Sequence, residues 1–229
     1  MQGLLLVDKP REWTSFDVVN YVRRIVANHE GKKPKNTKVG HTGTLDPLAT
    51  GLLVLLVGKE YTRKATELTK LDKTYEVTMK LGLTSTTGDE EGEKQAVSDK
   101  IPTEAEIREA LEQFQGEIMQ VPPVFSAMKI NGQRAYKLAR EGKVVEMEAR
   151  PVTIYKNTFV SYDYPLVAFT SDVGSGTYIR SLVQDLGETL ETGAYMSDLC
   201  RTRVGKYSVA DAVSVEGLTD VRIQEALQA

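Results

Sequence analysis

The sequence predicts an α+β protein. Three observations carry that prediction. Residues 73–81 alternate, with Tyr75, Val77, Met79 and Leu81 on one side and Thr74, Glu76, Thr78 and Lys80 on the other, which is the period of a half-buried strand. Thr103-Glu104-Ala105-Glu106 is a capping box, followed by Ile107, Ala110, Leu111 and Phe114 at helical spacing. Strand-like and helix-like stretches do not alternate regularly along the chain, which argues against a doubly wound parallel sheet.

Taken in order, Gly3–Val7 reads as a short buried strand. Thr14 or Ser15 caps a helix running to about Asn28, with Val18, Val22, Ile25 and Val26 on one face. Residues 29–38 form a polar, basic loop in which His29 is a surface histidine. A loop and the apolar strand 52–57 follow, then one short helix from about Tyr61 to Lys70. Beyond the strand 73–81, residues 84–94 make a polar loop, and Pro122-Pro123 stops regular structure. Residues 124–150 read as an excursion rich in basic and aromatic side chains. Strands at about 151–161 and 165–173 come next. A helix over 177–190 buries Ile179, Leu182, Val183, Leu186 and Leu190, and a strand near 198–204 and a short terminal helix end the chain.

The 229 residues carry 41% hydrophobic and 27% charged side chains, enough to bury a core without staples. Cys200 is the single cysteine, which excludes an intramolecular disulfide and any zinc site built on several thiolates. The apolar run at the N-terminus is too short for a signal peptide or a membrane span, so a soluble, cytoplasmic protein is expected. Net charge is −3, yet residues 1–40 hold eight cations against four acids and residues 125–150 six against three. Such segregation can present a positive face to a polyanion, although charge runs are more often plain solvated surface.

The stretch Gly40-His41-Thr42-Gly43-Thr44-Leu45-Asp46-Pro47-Leu48-Ala49-Thr50-Gly51 stands apart. Its glycines and Pro47 argue against regular helix or sheet and for a tight loop feeding a buried strand. Asp46, held just before a proline, is the candidate reactive group.

Four stretches together resemble one family: Gly40–Gly51; Lys73–Tyr75 with Asp89 and Gly92; Pro122–Arg140; and Gly174–Gly187. The segment Asp8-Lys9-Pro10 with Thr14-Ser15 adds a fifth. In this order, over about residues 3–215, they resemble the TruB family of bacterial tRNA pseudouridine synthases. The resemblance implies the pseudouridine synthase fold, with a mixed, largely antiparallel central sheet, flanking helices and a thumb-like RNA-binding insertion over 124–150. It implies a single catalytic domain over 1–229 without the C-terminal RNA-binding PUA domain, so that either this is a naturally short member or the chain was cut. It implies isomerisation of the T-loop uridine at tRNA position 55 by base flipping, no cofactor and no metal, and tRNA through its T-arm as the partner of a monomer.

The resemblance also assigns residues. Asp46 is the catalytic aspartate, and whether it acts on base or ribose stays open. Arg180 is the arginine that pairs with it, where a surface arginine is the alternative. Tyr75 is the active-site tyrosine, able to stack on the flipped base or accept a proton, or simply a core residue of its strand. Lys73 meets phosphate or the site, or is solvated. His41 contacts the RNA, or bonds only the loop backbone. Tyr178 and Leu199 line the uracil pocket or pack in the core. Lys129, Arg140 and Arg201 meet RNA; Lys9, Pro10 and Gly43 support the site; Asp89 bonds the catalytic loop or caps a turn.

Three departures stand out. Glu12 sits where the family has glycine, Cys200 where it is commonly basic, and Phe125 where tyrosine is frequent. The rival readings are a tRNA-binding or folding chaperone with secondary isomerase activity, a pseudouridine synthase acting on another RNA (an H/ACA-guided one included), and a nucleoside or glycoside hydrolase, for which no second acid has comparable support.

Overall fold

The computed structural model describes residues 1–126, 128–130, 132–142 and 145–228; of Lys129, Ile130, Arg134, Tyr136 and Arg140 it describes the backbone alone. In chain order the elements are β1 (Gly3–Lys9), α1 (Ser15–His29), β2 (Val39–His41), β3 (Thr50–Val57), α2 (Lys59–Thr62), α3 (Ala65–Thr69), β4 (Lys73–Leu81), β5 (Leu83–Ser85), β6 (Lys94–Ala96), α4 (Glu104–Gln113) and β7 (Gly116–Gln120). Then come β8 (Lys129–Ile130), β9 (Gln133–Arg134), α5 (Ala135–Arg140), β10 (Arg150–Asp163), β11 (Leu166–Val173), α6 (Ile179–Thr189), β12 (Ala194–Val204), β13 (Tyr207–Ser208), β14 (Val213–Ser214) and α7 (Asp220–Ala226). The content is α+β, as expected. Among the described residues no helix is long and apolar enough to cross a membrane. The chain divides into two compact units, Met1–Tyr75 with Leu199–Ala229, and Glu76–Asp198.

The first unit is organised on β3. On one edge β3 pairs antiparallel with β1 from Gly3↔Val57 to Lys9↔Gly51. Its other edge is shared by two strands at opposite ends. β2 pairs antiparallel at Val57–Leu55, and β12 pairs parallel at Cys200↔Thr50 and Arg201↔Gly51. β14 lies parallel to β1 on its far side. Both faces of the β1–β3 ladder are covered. Leu5, Val7, Leu53, Leu55 and Val57 face α1 and α7 through Val18, Val22, Val26 and Ile223. Leu4, Leu6, Leu52, Val54 and Leu56 face Val204 and the partly buried Tyr61, Leu68 and Leu71. A strand buried on both faces has no polar side, which is why 52–57 is an unbroken apolar run. Helix α1 opens on a complete capping box: Thr14 Oγ1 accepts from the Asp17 N–H while the Asp17 carboxylate accepts from the Thr14 N–H.

The second unit carries the ladder β4–β11–β10–β7. β10 pairs antiparallel with β11 and, through Arg150↔Gln120 to Ile154↔Gly116, with β7. The buried Asn157 ties this sheet to α4. Its Nδ2 donates to the Leu111 carbonyl (3.0 Å) and its Oδ1 accepts from Ser171 Oγ (2.7 Å). The expected strand face of Tyr75, Val77, Met79 and Leu81 is buried, and so is the helical stripe Ile179, Leu182, Val183, Leu186 and Leu190. Within 124–150 the described backbone forms the hairpin β8–β9 and the helix α5.

Several expectations are corrected. The single helix over 61–70 is two short ones, α2 and α3, broken at Arg63-Lys64. Neither has a side-chain N-cap, and pieces this short are held by packing of Tyr61, Ala65 and Leu68 rather than by propensity. The stretch 40–51 is loop only in its middle, because β3 offers pairing to Gly40-His41 at one end and continues through Thr50-Gly51 at the other. β7 carried no apolar alternation to announce it, and β12 begins four residues before the strand expected there.

Two backbone positions fix the approach to the loop. Glu12 takes φ +70° where the resemblance expects glycine, a left-handed backbone that a side chain disfavours. Gly51 takes φ +96°, and a Cβ there would lie 2.4 Å from the Arg201 carbonyl oxygen. Gly51→Ala is therefore expected to destabilise the protein by about 2–5 kcal/mol in urea denaturation. Glu12→Gly relieves a strained residue and is expected to stabilise it by about 0.5–1 kcal/mol in the same measurement.

Candidate active site

The loop 42–49 has no ladder of its own, so several of its backbone groups are satisfied by side chains and backbone brought from distant segments. Ser15, the first residue of α1, bonds Leu45 reciprocally: its Oγ donates to the Leu45 carbonyl (3.0 Å) and accepts from the Leu45 N–H (2.8 Å). Lys9 ends β1 fully buried, and its ammonium donates to the carbonyls of Pro10 (2.9 Å), Trp13 (2.6 Å) and Pro47 (3.0 Å). The Glu12 N–H donates to the same Pro47 carbonyl (2.8 Å). Arg201 on β12 donates from Nε to the Leu52 carbonyl (2.8 Å) and from Nη2 to the Gly43 carbonyl (3.1 Å). The Ala49 N–H closes a turn on the Asp46 carbonyl (3.1 Å). Asp46 thus sits half-buried on a loop braced at Gly43, Leu45 and Pro47.

The charges around the loop are mostly positive. Burial lowers the Lys9 ammonium to about 8, against the opposing pull of Asp46 and with added repulsion from Arg201 and Arg11. Lys73 is also lowered to about 8, by burial and then by Arg201, with Asp72 opposing. Its Nζ donates to the Thr69 (3.1 Å) and Leu71 (2.5 Å) carbonyls at the end of α3, a favourable place for a cation. Lys73 and Arg201 both flank Gly43. His41, half-buried, is lowered by burial first and Arg201 second, with a backbone bond to Gly43 opposing, so its ring is neutral at neutral pH. Its Nδ1 is buried without a hydrogen-bond partner among the described residues. Tyr75 and Leu199 are both buried, at 7% exposure.

Arg201 is 1% exposed and spends Nε and Nη2 on backbone carbonyls, so it braces the loop from inside. The Pro10 carbonyl is one of the three that hold the Lys9 ammonium. Gly43 contributes the carbonyl that Arg201 grips.

In the second unit, Arg180 projects from the first turn of α6 and is 6% exposed. Its Nη1 lies 3.5 Å from Asp89 Oδ2 and donates to the Thr87 carbonyl (3.1 Å), and its Nη2 donates to the Phe125 carbonyl (2.9 Å). Asp89 is equally buried and also caps its own turn, accepting from Thr87 Oγ1 (2.5 Å) and the Glu91 N–H (3.1 Å). Lys94 closes that turn from below through the carbonyls of Glu90 (2.7 Å) and Gly92 (2.8 Å). Gly92 is needed for room, since a Cβ would come within 2.4 Å of Ser85 Oγ. Tyr178, half-buried, is the N-cap residue of α6. Gln120 clamps it on both sides, accepting from its N–H (2.8 Å) and donating to its carbonyl (3.1 Å). Ser181 Oγ donates to the Val121 carbonyl (2.7 Å). The side chains of Lys129 and Arg140 lie outside the described residues.

Sequence reasoning missed Ser15, Lys94, Gln120 and Ser181 as site supports. Ser15 alone left a signal, as a residue at the start of a helix. Gln120 and Ser181 act on backbone groups 58 and 60 residues away, which no spacing encodes, and Lys94 acts on carbonyls of its own turn. The Lys9 titration yields a prediction. Its folded pKa of about 8 lies below the unfolded value, so the unfolded chain binds more protons between them and stability rises with pH there. The stability of the intact protein relative to Lys9→Met is expected to be lowest below pH 8 and to grow from about pH 8 to about 10.5, read as urea midpoints across that range.

Residues 31–179 match the model of the TruB family pseudouridylate synthase N-terminal domain, and residues 180–229 that of the tRNA pseudouridylate synthase B C-terminal domain. The tRNA pseudouridine synthase B of Pseudomonas aeruginosa (strain UCBPP-PA14) is 43% identical over 224 residues, covering 98% of this chain and 71% of the relative. That of Clostridium novyi (strain NT) is 44% identical over 225 residues, covering 98% and 75%. Among solved structures, a chain of a Cbf5-Nop10-Gar1 complex superposes with a TM-score of 0.72 at 27% identity, over 99% of this chain and 59% of that one. A chain of an H/ACA RNP bound to a substrate RNA containing 2′-deoxyuridine gives 0.69 at 25% identity, over 99% and 58%. This chain therefore spans less than two thirds of those solved chains but more than two thirds of the bacterial relatives. Its fold is the pseudouridine synthase fold, and the chain belongs to the TruB family of pseudouridylate synthases.

Proposed function

We propose that this chain isomerises a uridine of tRNA to pseudouridine, the T-loop uridine at position 55, with Asp46 as the acting carboxylate. The observation that carries the reading is the bracing of one loop. Lys9, Ser15 and Arg201 hold the backbone around Asp46 while its side chain stays half-exposed, so a carboxylate is pre-organised for a nucleotide brought to it. Identity of 43–44% over nearly the whole chain to tRNA pseudouridine synthase B proteins supports tRNA as the substrate over a guided RNA, for which the similarity is 25–27%.

In this reading the base is flipped out of its stack. The C1′–N1 bond breaks, the uracil turns, and a C1′–C5 bond forms; N1 gains a proton and C5 loses one, so no atom enters or leaves. Asp46 acts on the nucleoside, and Tyr75 stacks on the base or takes the C5 proton. Leu199 gives the uracil an apolar contact, and Tyr178 enters through the family resemblance alone. The neutral His41 ring fills space at the extruded nucleotide rather than pairing with phosphate. Lys73, a cation below pH 8, faces the polyanion. Arg180 enters through the family resemblance alone, with Asp89 as the residue that positions its guanidinium. Residues 124–150 serve as the RNA-facing thumb, Lys129 and Arg140 included. The chain works as one catalytic domain, as a monomer, in the cytoplasm, without cofactor or metal.

The decisive experiment incubates the protein with an unmodified tRNA transcript and maps pseudouridine. Product at a single T-loop uridine is expected. Asp46→Asn is expected to fold normally and to lose at least about 10³-fold in rate. No product from the intact protein, or an undiminished rate in the variant, would sink the proposal.

A further inference from the structure

Gln120 is an amide buried to 1% exposure at the end of β7, a place where a polar group is costly unless it is hydrogen-bonded. Both ends of its amide are spent on one residue. Oε1 accepts from the Tyr178 N–H (2.8 Å) and Nε2 donates to the Tyr178 carbonyl (3.1 Å). Tyr178 stands at the start of α6, and its side chain does not cap the helix. A helix start has N–H groups without intrahelical partners and needs outside contacts to be fixed. Gln120 fixes this one from another element.

The clamp belongs to a set of bonds between two short segments. Ser181 Oγ donates to the Val121 carbonyl (2.7 Å), and Arg180 Nη2 donates to the Phe125 carbonyl (2.9 Å). Residues 178, 180 and 181 are thus bonded to residues 120, 121 and 125. The latter stretch is where β7 passes into the insertion 124–150, and Gln120 pairs on β10 with Arg150, where the chain returns. The turn before α6 is tied to the same sheet. The Gly174 N–H donates to the Thr153 carbonyl (2.8 Å), and Thr177 Oγ1 donates to the Gly174 carbonyl (3.0 Å).

Arg180 lies inside this set. Asp89 and the Thr87 carbonyl hold its guanidinium, while Gln120 and Ser181 hold the backbone on either side of it. A long side chain needs both ends set, because a tilt at the helix start is magnified at the far end of the side chain. A displacement of about 1 Å in a group at a reacting centre can cost about 10²-fold in rate. We propose that Gln120 and Ser181 are positioning residues of the reaction: they lock the start of α6 to the root of the insertion and so set the direction in which Arg180 leaves the helix. This rests on the activity proposed above, and on the part given there to Arg180.

The test uses the full chain and an unmodified tRNA transcript. Gln120→Met keeps the length and burial of the side chain and removes both bonds; Ser181→Ala removes the bond to Val121. Thermal midpoints show that each variant folds, and rates are read well below them. Single-turnover formation of pseudouridine is expected to slow about 10- to 100-fold in Gln120→Met and about threefold in Ser181→Ala. The dissociation constant for the RNA is expected to change less than about twofold in both. In an Arg180→Lys background, Gln120→Met is expected to cost less than about threefold, because the group it positions is gone. Contacts that serve the fold alone would lower the midpoint and leave the rate of the folded protein unchanged, or would slow Arg180→Lys as much as the intact protein. Either result, or a loss confined to RNA binding, overturns the proposal. If Gln120→Met does not fold, Ser181→Ala decides, and a normal rate in it overturns the proposal. No pseudouridine from the intact protein refutes the activity itself, whereas normal conversion by both variants refutes the positioning role alone.

Discussion

A loop rich in glycine and proline, without ladder hydrogen bonds, must find partners for its backbone elsewhere, and in this chain buried cations supply them. Lys9 grips three carbonyls and Arg201 two, and both sit at or below 1% exposure. The loop that carries Asp46 depends on these contacts. An unpaired buried carbonyl costs about 1–3 kcal/mol, and removing Lys9 takes this donor from the Pro10 and Trp13 carbonyls while the Pro47 carbonyl keeps the Glu12 N–H. Burying the cations is itself expensive, which is why Lys9 and Lys73 titrate low. The arrangement exchanges part of the stability of two ammonium groups for a fixed backbone.

A related device recurs in the second unit, with an exposed lysine and a buried arginine. Lys94 gathers the carbonyls of the turn that holds Asp89, and Arg180 gathers those of Thr87 and Phe125. Gln120 does for the start of α6 what Ser15 does for Leu45: one side chain satisfies both the N–H and the carbonyl of a single residue. Such two-point clamps fix a peptide plane in orientation as well as position. Reactive groups on loops need that, because loops lack the ladders that hold strands in place.

Conformational strain is concentrated where the chain enters this machinery. Glu12 holds a left-handed backbone and delivers its N–H to Pro47, while Gly51 lets β3 run against Arg201 at a distance no side chain would allow. The surrounding contacts over-determine the turn, so the residue tolerates a conformation it disfavours.

Local periodicity by itself determined much of this protein. The alternation over 73–81, the capping box at Thr103, the stripe from Ile179 to Leu190 and the apolar run 52–57 each placed an element, because burial imposes its period on the residues that meet it. The motif at 40–51 singled out Asp46. Only the tertiary structure decided what surrounds it. A cation near a motif is equally consistent with surface or interior, and the burial of Arg201 follows from the pairing of β12 with Thr50–Gly51, 150 residues away in the chain. The break between α2 and α3 and the clamp by Gln120 have the same origin. Each depends on a partner distant in sequence, and spacing along one segment carries no information about what packs against it.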